Sequence, residues 1–211
     1  MSETHAAGHP LDRFLHTGAV LHAGADGQML LPESGLCPPV RALLPGSFNP
    51  IHRGHWELAK VAEQWLGHPV AFELSAFNVD KPILTRDEIC RRLAQFHWQA
   101  SVWLTHAPKF VDKAECFPGV TFVVGADTAL RIVLPRYYED DEARMQAVLA
   151  RIKKLECRFL VACRVDAVGQ CIRGSDLPIP PSFRDQFEEI PAEQFRRDLS
   201  STELRARGQS I

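Results

Sequence analysis

The stretch that decides the fold is VRALLPGSFNPIHRGH, residues 40–55. VRALLP is a short apolar run that reads as a buried strand, and GSFNP ends it at once with turn residues. The following GHWELAKVAEQWLG reads as a helix. Leu58, Val61, Ala62 and Trp65 fall at i, i+3, i+4 and i+7 and form one apolar stripe, with Gly67 as a C-terminal stop. Strand, glycine turn and helix N-terminus in that order make a ready anion site, because the first helical N–H groups lack partners within the helix. Gly46 lets backbone approach a ligand, and Gly54 removes a side chain that would crowd a phosphate. His52 and His55 stand three apart and share one face of the first turn. A pair at this spacing alone also suits a metal ion or a helix cap.

Outward from this stretch, apolar strands and amphipathic helices alternate. PVAFELSAF (69–77), SVWLTHA (101–107), VTFVVGA (120–126) and CRFLVACRV (157–165) read as strands. TRDEICRRLAQF (85–96) is a helix with Thr85 as cap and Glu88 three residues on, and DEARMQAVLARIKKLE (141–156) is another. SSTELRARG (200–208) opens a last helix. The order β-α-β-α-β-β-α-β-α predicts an α/β, Rossmann-like doubly wound parallel sheet of about five strands with helices on both faces. Residues 1–38, rich in Gly, Ala and His, read as an N-terminal extension, and 39–211 as the domain. Ligands of such sheets bind beyond the C-terminal strand ends.

Composition narrows the function. The 211 residues carry 24 Lys and Arg against 26 Asp and Glu, a net charge of -2, which disfavours nucleic acid as a partner. No apolar run is long enough for a membrane span, and the N-terminus lacks a secretory pattern. The cysteines at 37, 90, 116, 157, 163 and 171 include no CxxC pair and read mostly as buried thiols, so a cytoplasmic location is expected.

Near the other end of the chain stands Ser200-Ser201-Thr202-Glu203-Leu204-Arg205, preceded by Leu199. Alone it is a routine N-cap. Paired with GSFNPIHRGH, it resembles the second signature of the HxGH nucleotidyltransferases, a cytidylyltransferase-like superfamily. In pattern the chain is closest to the nicotinamide and nicotinate mononucleotide adenylyltransferases. The resemblance implies transfer of a nucleoside monophosphate from a triphosphate, ATP first, to a small phosphorylated acceptor, with pyrophosphate released; a CTP-dependent transferase acting on a phospho-alcohol and a non-catalytic nucleotide-binding regulator are the alternatives. It implies His52, His55 and Arg205 as catalytic residues. Gly46, Ser47, Phe48, Gly54, Ser200, Ser201 and Thr202 would bind the nucleotide, and Asn49 the acceptor. Mg2+ would be carried with the triphosphate, and a homo-oligomer stays open.

Gly125-Ala126-Asp127 resembles the G-x-D element that contacts the nucleoside in this superfamily; a strand-end turn with Asp127 as cap is the plain alternative. Lys81, after the second strand with Asn78 and Asp80, resembles a lysine that holds the acceptor phosphate. Arg91 and Arg92 are within reach of the same site from the next helix, with one of them read as a solvated residue; His106, Lys109 and Lys113 follow the third strand, and their spacing does not decide whether they face the cleft. The acidic run Glu139–Glu142 reads as a helix start. Mononucleotide adenylyltransferases place a tryptophan shortly after G-x-D, near the pyridine ring; here Tyr137-Tyr138 stands instead, an aromatic platform of another kind.

Overall fold

The computed structural model describes residues 9–18, 20–77, 83–165 and 171–195. Its elements in chain order are α1 (Pro10–Thr17), β1 (Leu21–Ala23), β2 (Met29–Leu30), β3 (Ala42–Pro45), α2 (Arg53–Leu66), β4 (Ala71–Ser75), α3 (Arg86–Ala94) and β5 (Val102–Thr105). Then come α4 (Phe110–Cys116), β6 (Thr121–Gly125), α5 (Ala126–Val133), α6 (Glu142–Lys154), β7 (Arg158–Ala162), β8 (Arg164–Val165), β9 (Cys171–Ile172) and β10 (Phe187–Ile190).

The main sheet has eight strands in the order β10-β7-β6-β3-β4-β5-β1-β2. The neighbours from β10 to β5 pair in parallel; β1 joins β5, and β2 joins β1, antiparallel. The expectation of about five strands is therefore corrected upward. Phe187–Ile190 adds a parallel edge, and residues 21–30 add two strands at the other edge. Both additions depend on pairing with a distant strand, which local periodicity does not register.

The strands alternate sides. Leu44, Phe72, Leu74, Leu104, Val123 and Leu160 join one core cluster with residues of α1, α2 and α3. Leu43, Trp103, Phe122, Val124, Phe159 and Val161 join a second with residues of α4, α5 and α6. Helices on both faces confirm the α/β doubly wound architecture. The helices α4 and α5 were missed. Each is short, eight residues or fewer, and α5 follows its strand with no connecting residue. Sequence expectation also ran the strand on from Cys157 to Val165; β7 ends at Ala162, and Arg164–Val165 belong to the small pair β8–β9. Thiol expectations change as well: Cys157 is buried, Cys90 and Cys116 are exposed, and Cys163 is in a disulfide.

The helix α2 begins as its letters suggest. The αL glycine Gly67 closes it, donating its N–H to the carbonyl of Glu63. Chain order places β4 and β5 on one side of β3, and β6, β7 and β10 on the other. The switch point lies between β3 and β6, and in sheets of this kind the ligand crevice lies there, outside the C-terminal ends of the strands.

Candidate active site

Leu43 pairs with Phe122, and Gly46 and Gly125 each stand three residues beyond that matched pair. The two sequence motifs GSFNPIHRGH and GAD thus leave adjacent strands at the switch point. His52 is the N-cap of α2 and lies outside the helix proper, with φ of -144°. Its Nδ1 accepts the Gly54 N–H at 3.2 Å, and the His55 Nδ1 accepts the His52 N–H at 3.2 Å. The two rings stack with centroids 3.8 Å apart. A ring nitrogen that accepts carries no proton, so each neutral imidazole holds its hydrogen on Nε2 and is a donor there.

Phe48 is almost fully buried. Its ring packs edge-on against His55, Phe72 and Phe96 at 5.1, 5.5 and 5.2 Å. The Phe48 side chain is thus spent inside the core, where it packs against the second histidine. Gly46 has a matching reason. A Cβ there would sit 2.6 Å from the Phe48 ring, so the missing side chain makes room for that ring.

The Ser47 carbonyl accepts from an Arg92 Nη at 2.8 Å, and Asn49 Oδ1 accepts from an Arg91 Nη at 2.7 Å. Both arginines reach the GSFNP turn, and neither is merely solvated. Both also bond Glu88, whose carboxyl is held down to about 2, first by its hydrogen bond with Arg91. The glutamine Gln95 was missed. Its amide bonds the Phe48 carbonyl at 3.0 Å and the Ile51 N–H at 2.9 Å. Glu88, Arg91, Arg92 and Gln95 fall at helical spacing, a signal already present in the letters.

Gly125 caps α5 with its backbone, so Asp127 is not the cap; it lies in the first turn, where a negative charge suits the helix dipole. A Cβ on Gly125 would meet Asp127 Oδ1 at 2.9 Å, so the glycine lets that carboxylate fold back over the strand end. A groove of about 550 Å3 runs beside His52, lined by Pro50, Ile51, Trp56, Lys60 and Gln95.

The other sequence candidates divide. Lys113 does not face the cleft: it is buried, with its Nζ bound to both oxygens of the buried Glu73 at 2.8 and 2.7 Å and to the Ala107 carbonyl at 2.8 Å. Lys109 is the exposed N-cap of α4. His106 packs on Phe14 at 4.5 Å, its Nε2 is without a partner among the described residues, and burial lowers its pKa. Tyr138 is committed to the second core, with its hydroxyl donating to the Ile132 carbonyl, whereas Tyr137 is exposed under Arg136. The acidic run starts α6, with Asp141 accepting the Arg144 N–H. Lys81, Ser200, Ser201, Thr202 and Arg205 lie outside the described residues, as do Asn78 and Asp80.

A mostly parallel sheet with a glycine turn and a helix N-terminus at its switch point defines a Rossmann-like α/β protein. The cytidylyltransferase-like family matches residues 43–207, and the chain belongs to that family. Nucleotidyl transfer is the general activity that goes with it. A comparison with curated proteins finds no match. Among the described residues no helix is long and apolar enough to cross a membrane.

Proposed function

We propose that the chain transfers a nucleoside monophosphate from a nucleoside triphosphate to a small phosphorylated acceptor. ATP is the first donor to test, and nicotinamide or nicotinate mononucleotide the first acceptor. One observation supports this most: the His52–His55 turn and the Gly125–Asp127 turn leave neighbouring parallel strands at the switch point. A triphosphate laid across that crevice would meet the α2 N-terminus with its phosphates and the α5 turn with its nucleoside.

In this mechanism an acceptor phosphate oxygen attacks the α-phosphorus. A new P–O bond forms, the α–β bridging P–O bond breaks, and pyrophosphate leaves with the bonding electrons. The nucleophile is already an anion, so no base is needed; the barrier falls through alignment and charge stabilisation. His52 and His55 would donate from Nε2 to α- and β-phosphate oxygens. Ser200, Ser201, Thr202 and Arg205 would hold the β- and γ-phosphates, with the guanidinium gripping two oxygens. Gly46, Ser47 and Gly54 would line the phosphate turn; Gly125 and Asp127 would meet the nucleoside. Asn49, whose Oδ1 accepts from Arg91, would contact the acceptor, and Lys81 would bind the acceptor phosphate. Mg2+ would come with the triphosphate as part of the substrate and would supply positive charge against its phosphate oxygens.

A second reading, a CTP-dependent transferase acting on a phospho-alcohol, is favoured by the burial of Tyr138. Of the two tyrosines after the GAD turn only Tyr137 is then exposed, which weakens the aromatic platform expected to hold a pyridine ring. The experiment is pyrophosphate release from Mg–ATP or Mg–CTP with nicotinamide and nicotinate mononucleotides, phosphopantetheine, phosphocholine and glycerol phosphate. Turnover with one pair, lost in Arg205→Ala, supports the transferase and names its substrates. Absence of turnover together with absence of nucleotide binding in calorimetry overturns it.

A further inference from the structure

Helix α3 holds the turn between β3 and α2 through three side chains. The Gln95 amide is fully used. Its Nε2 donates to the carbonyls of Phe48 at 3.0 Å and Arg92 at 3.2 Å, and its Oε1 accepts the Ile51 N–H at 2.9 Å. One side chain therefore joins two backbone groups on either side of Asn49-Pro50. Arg92, a buried cation, donates to the Ser47 carbonyl at 2.8 Å and through Nε to Glu88 at 2.7 Å. Arg91 takes Asn49 Oδ1 at 2.7 Å. Three acceptor oxygens of successive residues, Ser47 O, Phe48 O and Asn49 Oδ1, are thus drawn toward α3.

A second observation points the same way. Phe48 has φ of +42°, a conformation that a bulky side chain rarely adopts. Such a residue persists only where its surroundings over-determine it, and such positions cluster at functional sites. Here the ring is fixed by Phe72 and Phe96 and the carbonyl by Gln95, and the same ring supports His55. A polyphosphate repels any carbonyl oxygen aimed at it. Fixing these oxygens on α3 keeps the turn in the one orientation that presents donors to the crevice, before the substrate arrives.

We propose that Gln95 and Arg92 are positioning residues for nucleotidyl transfer, which clamp the Ser47–Ile51 turn so that His55 is held at the angle the transition state needs; this rests on the transferase reading above. Neither residue touches the reacting atoms. Loss of the clamp should leave ground-state binding largely intact and lower turnover, because a small misplacement is felt in the transition state.

The test uses the full chain with Gln95→Met, which keeps the shape and removes all three hydrogen bonds, and Arg92→Lys, which keeps the charge and removes the fork. For folded variants, the Kd of Mg–ATP by calorimetry should stay within about threefold, while kcat falls roughly tenfold or more. Amide hydrogen exchange at Ile51 should accelerate in Gln95→Met. Unchanged kcat in both variants overturns the proposal, as does full retention of Ile51 protection in Gln95→Met. A parent that turns over none of the acceptors would count against the transferase reading alone; Ile51 exchange would still decide the clamp.

Discussion

The imidazoles of His52 and His55 stack at a centroid distance of 3.8 Å, 28° from parallel, and each accepts a backbone N–H at Nδ1. The reciprocal bonds cap α2 and fix the tautomer of both rings together. Cap and candidate catalytic donor are therefore the same pair of side chains.

His55→Ala should lower kcat by about a hundredfold, the usual loss for one donor to developing negative charge. It should also cost about 1 kcal/mol of stability, because the His52 N–H loses its acceptor. Steady-state kinetics and a denaturant titration read the two effects separately. Nitrogen-15 spectra of the parent should show both rings protonated at Nε2.

Lys113→Met should be strongly destabilising. Glu73 is 0 % exposed and would keep only the Thr105 hydroxyl, at 2.5 Å, as a donor among the described residues. Breaking such a pair from one side costs roughly 3–5 kcal/mol. Adding Glu73→Gln should recover part of that loss, because the stranded charge is gone. The urea midpoints of the two variants make the comparison.

Glu88 sets an acid limb of stability. Its folded pKa of about 2 lies below the ordinary 4.5, chiefly through the Arg91 hydrogen bond. A depressed carboxylate contributes stability above the unfolded value, and that contribution is lost as pH falls from 4.5 toward 2. Glu88→Gln should flatten the fall of thermal midpoint across that window. An unchanged slope would remove Glu88 from the account.

His22 acts with the same sign from a different cause. Both of its ring nitrogens are buried without partners among the described residues, and the ring leans on Trp103 at 4.9 Å. Burial lowers its pKa below 6.5, partly opposed by Asp26. The unfolded chain therefore binds this proton more readily, and stability falls as pH drops below 6.5. His22→Phe removes two unsatisfied atoms and should raise the thermal midpoint, more at pH 5.5 than at pH 8.

Gly46→Ala should fail for steric reasons alone. Its methyl would press on the Phe48 ring at 2.6 Å, and overpacking of this kind typically costs about 1–3 kcal/mol. Turnover should fall as well, since Phe48 supports His55. A variant with unchanged melting and kinetics would show that the ring can move aside.

The core of this protein was legible from its letters. VRALLP followed by GSFNPIHRGH specified β3, the anion turn and the cap of α2, because strand period, turn residues and helix stripe are properties of adjacent residues. The same local rules gave β4, β5, β6 and β7, and from their alternation with helices the parallel sheet. Tertiary structure decided the rest. The strands β1, β2 and β10 exist through pairing with β5 and β7, and FEEI at 187–190 has no strand period of its own. The letters leave Lys113 open as a cleft residue because nothing local reveals Glu73, its partner 40 positions away. Gln95 shares a helical spacing with Glu88, Arg91 and Arg92, but only folding brings its amide to hydrogen-bond distance of Ile51, 44 positions away. Local periodicity reports which face of an element is apolar. Only the packed sheet determines which polar groups are buried together, and a buried polar group must find its partner wherever the chain brings one.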